Sequence, residues 1–208
     1  MPGQSRPPLR RKTTPKVQGG KPLRKSRTAL TPHPLQIPSS VPWIDRERPG
    51  PSHRHFLRKK DILEFIDLLP EWDELAKGLR GILLARGEYD TAGWHRPGLV
   101  AVCAWERDVW QRVCVEHYEE HADVFRRLGV PCERAGDVVV CQFTDQAVRD
   151  YQLLHILLHE LGHHHDRITT RSKVDAARGE GYAERYALKY MDEIWHRYAE
   201  RFGLPGLS

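Results

Sequence analysis

Residues 153 to 163 read Leu-Leu-His-Ile-Leu-Leu-His-Glu-Leu-Gly-His, so His159 and His163 stand four apart with Glu160 directly after the first. On a helix that spacing turns the second side chain by about 40° and raises it one turn, so both imidazoles can converge on one cation. A catalytic zinc ion takes three protein ligands and keeps a position for water. Glu160 is placed to accept a proton from that water, which makes hydrolysis the chemistry these residue types suit. Apolar residues flank the motif on both sides, as expected of a helix buried through a domain, where a dry and shaped site can form.

The third ligand must come from elsewhere. His165 lies two residues past His163, about 200° around the helix, and Asp166 lies axially beyond the pair. His155 is one turn upstream of His159 on the same stripe. Three ligands on one straight stripe would spread over about 12 Å, too far for bonds of about 2 Å, so His155 is expected to be a supporting or core histidine. Glu180 and Glu184 open a second helix four residues apart on one face, with Ala183 and Ala187 beside them to permit close packing. Spacing alone leaves open which of the two reaches the metal.

His159-Glu160-Leu161-Gly162-His163 followed by Glu180-x-x-Ala183-Glu184-x-Tyr186-Ala187 resembles the HELGH plus ExxA(N/D)xFA pattern of gluzincins such as the ImmA/IrrE-like peptidases. The resemblance covers about residues 153 to 190. It implies a Zn2+-dependent peptidase acting on a peptide or protein substrate, with Glu180 as third ligand and Glu184 supporting a ligating histidine. The chain departs from the pattern in having Glu184 where Asn or Asp is usual, and Tyr186 in place of Phe. The longer metzincin signature is absent, because its glycine and third-ligand positions fall on Asp166 and Thr169.

The elements that must position these residues follow from periodicity and breakers. Ile62, Leu63, Phe65, Ile66 and Leu69 recur at helical spacing until Pro70. Apolar runs at 79–85 and 99–105, joined by a Gly-rich polar stretch ending in Pro97-Gly98, read as an antiparallel pair of strands. Residues 107–128 suit a helix closed by Gly129-Val130-Pro131. Residues 137–143 form a third strand, either an interior one or an edge that pairs with substrate. Thr144 or Asp145 can cap a helix over 146–165, and a last helix is expected from Gly179 to Phe202. The fold class is therefore α+β, a small mostly antiparallel sheet packed on the HExxH helix and the Glu-bearing helix.

Eleven of the fifteen prolines fall in residues 1–51, and residues 1–50 carry eleven Lys or Arg against Asp45 and Glu47, a charge of +9 within a total of +5. Such a stretch cannot bury enough apolar surface to offset the entropy of ordering. Residues 1–52 are expected to be a disordered basic arm, solubilising or in contact with nucleic acid or another acidic partner. Residues 53–208 are expected to form the zincin-like catalytic domain. Cys103, Cys114, Cys132 and Cys141 form no CxxC pair and lie in or beside apolar stretches, which points to reduced, mostly buried thiols and a cytoplasmic setting. The N-terminus has no apolar run of a signal peptide, and no stretch approaches the length of a membrane span. The competing class is a zinc-bearing regulatory or DNA- or partner-binding module without turnover, against which an intact Glu160 argues.

Overall fold

The computed structural model describes residues 17–18, 21–22, 42–88, 91–170 and 178–204. The chain divides into a unit of Met1–Pro38 and a unit of Ser39–Ser208. In the first unit a two-residue antiparallel ladder joins β1 (Val17–Gln18) to β2 (Lys21–Pro22). The rest of the expected disordered arm, up to residue 41, lies outside the described residues. The expected boundary at residue 52 is corrected by β3 (Trp43–Arg46), which enters the sheet of the second unit, and by β4 (His53–Arg54), paired with β8 (Trp105–Glu106).

Helix α1 (Lys59–Ile66) and the single turn α2 (Trp72–Leu75) lead into the main sheet. That sheet has the order β3, β5 (Gly81–Ala85), β7 (Leu99–Cys103), β6 (Gly93–Arg96). Strand β5 is buried at every position, the unbroken apolar signature of a strand covered on both faces. Its alternation assigns the two faces. Ile82 and Leu84, with Val100 and Val102 of β7, enter the main core, while Leu83, Ala85, Ala101 and Cys103 form a small second cluster. The expected antiparallel pairing of the 80s and 100s strands is overturned: β5 runs parallel to both β3 and β7. The reversal is made by β6, which forms a hairpin with β7 across Pro97-Gly98, where Gly98 takes φ 73°. A proline followed by a glycine at positive φ is the pairing a type II turn demands.

The second correction concerns residues 107–128. Trp110–Cys114 is strand β9, with exposed and half-buried residues alternating, and only Val115–Arg127 is helix (α3). Strand β9 pairs with β11 (Val138–Gln142), which pairs in turn with β10 (Cys132–Ala135). The strand near residue 140 thus belongs to a separate sheet and occupies its centre, which removes it as an edge for substrate. The α+β class stands: antiparallel pairs outnumber parallel ones five to two over all the sheets described, while the main sheet has two parallel ladders and one antiparallel. The four cysteines are free thiols, but only Cys103 and Cys141 are buried; Cys132 is half-buried and Cys114 exposed.

From Asp145 to Thr169 the backbone is one continuous helix, made of α4 (Asp145–Tyr151), a π-helical stretch (Gln152–Leu157) and α5 (Leu158–Thr169). Thr144 caps it, its hydroxyl accepting from the Ala147 amide at 3.0 Å. Leu153, Leu154, Leu157 and Leu158 are fully buried, so this helix runs through the core. The long helix α6 (Glu180–Phe202) packs along α5. Gly162 permits the approach: a Cβ there would meet the Ala183 backbone at 2.9 Å. No helix among the described residues is long and apolar enough to cross a membrane.

Candidate metal centre

Helix α5 presents His159 and His163, and the first turn of α6 presents Glu180. Oε2 of Glu180 lies 3.1 Å from Nε2 of His159 and 3.4 Å from Nε2 of His163. Ligand atoms bonded at about 2.0–2.1 Å in a tetrahedral site stand roughly 3.3 Å apart, so two imidazole nitrogens and a carboxylate oxygen at this spacing fit a single divalent ion. These three residues form one of two His/Glu groups, among the described residues, that could hold a metal ion.

Glu184, one turn further along α6, reaches the other side of the first histidine. His159 Nδ1–H donates to its Oε2 at 3.2 Å, which orients the ring so that Nε2 faces Glu180. The second oxygen, Oε1, accepts from His155 Nε2 at 3.0 Å. Burial works against the Glu184 carboxylate, but hydrogen bonds with His121, His155 and His159 outweigh it and hold the carboxyl far below the usual range. For His159 the partners also prevail: burial disfavours protonation, but Glu184, Glu160 and Glu180 raise its pKa overall. Burial lowers that of His163.

Glu160 is buried, and burial pushes its carboxyl up to about 7, with His159 pulling down and Glu180 pushing up. A carboxyl held near neutrality can both take and return a proton. Beside it runs β6: a Cβ on Gly93 would meet Glu160 Oε1 at 2.7 Å, Ile156 Cγ2 at 2.8 Å and the Ala101 carbonyl at 2.9 Å. The last strand of the main sheet therefore passes directly over the acidic group, and only glycine fits there.

The structure brings together His159, His163, Glu160, Glu180 and Glu184. It seats the candidates Asp166 and His165, and the neighbouring His164, elsewhere. The Asp166 carboxylate is fully buried and accepts from the Arg178 backbone at 2.8 Å and from its Nε at 2.6 Å, tying the end of α5 to the approach of α6. Burial opposes that charge, but the Arg178 hydrogen bonds prevail and lower its pKa. His165 hydrogen-bonds the Tyr182 hydroxyl at 2.6 Å, and His164 the Lys77 carbonyl at 2.9 Å. Two participants carried no signal in the sequence. Gly93 sits in a strand without an apolar run, and His121 of α3, 3.8 Å from Glu184 Oε1, has no spacing relation to the HExxH motif. No protein-family model matches the chain, and comparison with curated proteins and with solved structures finds no match either.

Proposed function

We propose that the chain is a zinc-dependent metallopeptidase, with His159, His163 and Glu180 as metal ligands and Glu160 as general base. The observation that carries this reading is the placement of Glu180 Oε2 at 3.1 and 3.4 Å from the two Nε2 atoms, beside a buried Glu160. The resemblance of both motifs to those of gluzincins supports it. When bound, the metal supplies Lewis acidity, polarising the scissile carbonyl and acidifying water. Glu160 takes the proton from the attacking water and delivers it to the leaving amine, a double duty matched to a carboxyl held near 7. Glu184 holds the His159 ring in register through Nδ1. Strand β6, the last in its sheet, offers backbone donors and acceptors beside Glu160, and an extended peptide can add to it as a further strand. Recognition through the backbone suits a peptide substrate.

The test is zinc content and hydrolysis of a peptide library by the purified chain. Wild type should hold zinc and cleave. Glu160→Gln should keep the metal and lose at least about 100-fold in rate, since general-base catalysis contributes roughly 100- to 10,000-fold. Glu180→Gln and His163→Ala should lose the metal held by His159, His163 and Glu180, and cleavage with it. A zinc-loaded wild type that cleaves nothing would replace the reading with that of a non-proteolytic zinc module, and a Glu160→Gln variant as active as wild type would overturn Glu160 as the general base.

A further inference from the structure

The second His/Glu group lies deeper, where α3, the π-helical stretch and α6 meet. His121, His155 and Glu184 offer ligand atoms that all lie within 4.8 Å of one another. Both histidines are buried, whereas the Glu184 side chain retains 28% exposure, which gives the cluster a route to solvent.

The geometry of the three ligand atoms suits a shared cation. His121 donates Nδ1–H to the His117 carbonyl at 2.8 Å, so in the neutral ring Nε2 carries a lone pair. That lone pair faces Glu184 Oε1 at 3.8 Å. The same oxygen lies 3.0 Å from His155 Nε2. One carboxylate oxygen thus meets two imidazole nitrogens, and the His121 contact is satisfied either by a second proton on that ring or by a cation shared by the three. The separations of 3.0 and 3.8 Å bracket the roughly 3.3 Å expected between ligands about 2.0–2.1 Å from one ion. The ligands are also held in place. The His155 ring stacks on Tyr151 with centroids 5.1 Å apart and planes 8° from parallel, and the His121 ring is pinned through Nδ1.

We infer that His121, His155 and Glu184 form a second site for a divalent transition-metal ion, distinct from the His159/His163/Glu180 centre and joined to it through the Glu184 carboxylate. Two nitrogen donors and one oxygen select Zn2+ or Co2+ over Mg2+ and Ca2+. The link is one side chain: Oε1 faces the inner site, while Oε2 accepts from His159 Nδ1. A cation on Oε1 draws electron density from that acceptor, so filling the inner site changes the basicity of an outer ligand.

The experiment titrates the metal-stripped full chain with Co2+, followed by its visible absorption, and with Zn2+, followed by elemental analysis after desalting. Wild type should take up two equivalents, with two distinguishable Co2+ spectra. His121→Ala should take up one. His163→Ala, which leaves the inner residues intact, should keep one equivalent with the spectrum that His121→Ala lacks, and the double variant should keep none. Circular dichroism of each variant checks folding, and the complementary losses in two separate single variants cannot both arise from one misfolded helix. One equivalent in wild type, unchanged in His121→Ala, would overturn the second site and leave the peptidase reading standing. Two equivalents with no peptide cleavage would do the reverse.

Discussion

At the scale of single residues, two carboxylates on one helical face differ by a turn and by their surroundings. The Glu180 side chain is 83% exposed and meets the two Nε2 atoms from the solvent side, whereas Glu184 sits among histidines on the inner side of the same ring. Their four-residue spacing placed both near the HExxH pair, but it could not assign inside and outside, because that depends on how α6 crosses α5. A third acid was invisible as anything but a helix residue. Asp150 is fully buried; its Oδ1 accepts from Tyr198 at 2.6 Å and from Gln146 at 2.7 Å, and its Oδ2 has no hydrogen-bond partner among the described residues. Burial raises its pKa from 3.8 to about 6, against the two hydrogen bonds. Well below pH 4 both the folded and unfolded forms hold the proton and the group costs nothing. As pH rises through 4 to 6 the unfolded chain releases it first, so stability falls, and the loss is complete above about 6. A shift of this size corresponds to roughly 3 kcal/mol. Urea unfolding of metal-free wild type and Asp150→Asn at pH 3 and 7 checks this: wild type should lose roughly 3 kcal/mol more than the variant over that interval. Equal losses would mean that Asp150 is ionised in the fold.

At the scale of elements, the helices that carry the site were legible and the strands around it were only partly so. The span from Thr144 through the motif opens on a capping residue, both it and the span from Gly179 to Phe202 lack proline and carry long apolar stripes, and the structure places helices at 145–169 and 180–202. The π-helical stretch at 152–157 was not legible, because periodicity assumes 3.6 residues per turn. Its wider turn changes the azimuth between His155 and His159, which the straight-stripe argument treated as fixed. Strand β6 was missed because Gly93-Trp94-His95-Arg96 has no apolar run, and β9 because Val109 and Val113 are spaced like helix neighbours while the residues between them alternate. The crossing of α5 and α6 rests on Gly162, whose added Cβ would lie 2.9 Å from Ala183 Cα and 3.1 Å from Tyr186 Cβ. Alanine is favoured over glycine in a helix by about 1 kcal/mol, but overpacking a tight contact costs about 1–3 kcal/mol. Gly162→Ala should therefore keep its helical signal yet push α6 outward, lowering zinc affinity at least about 10-fold because Glu180 rides on the displaced turn. Unchanged zinc binding, measured by competition with a chelator, would mean that the crossing does not set the ligand's position.

At the scale of the whole molecule, composition separated a basic, proline-rich beginning from a mildly acidic remainder, and it placed the division too late. Trp43-Ile44-Asp45-Arg46 stands among prolines and charges, which hides a strand whose stability comes from its partner rather than from its own pattern. Four register pairs tie it to β5, Ile44 packs against the core, the Glu47 amide donates to the Leu84 carbonyl at 2.9 Å, and Asp45 pairs with Lys59 at 3.2 Å. Two truncations therefore have different outcomes. Removing residues 1–38 deletes a segment poor in large apolar residues and should leave the melting temperature and zinc content within error of wild type. Removing residues 1–50 strips a strand from the side of β5 and uncovers part of its backbone and of the core. The lost burial of Ile44 and the lost hydrogen bonds amount to roughly 2–4 kcal/mol, and at about 2–4 °C per kcal/mol for a chain of this size the melting temperature should drop by about 5–15 °C. The same pair separates the role of the basic arm from that of the strand. Any binding of nucleic acid should be lost in both truncations and should weaken steeply with added salt in wild type, since it depends on lysines and arginines contacting phosphates. Equal melting temperatures for the two truncated proteins would show that β3 contributes nothing to the fold, and salt-insensitive binding that survives the 1–38 deletion would move the interface from the arm to the acidic remainder.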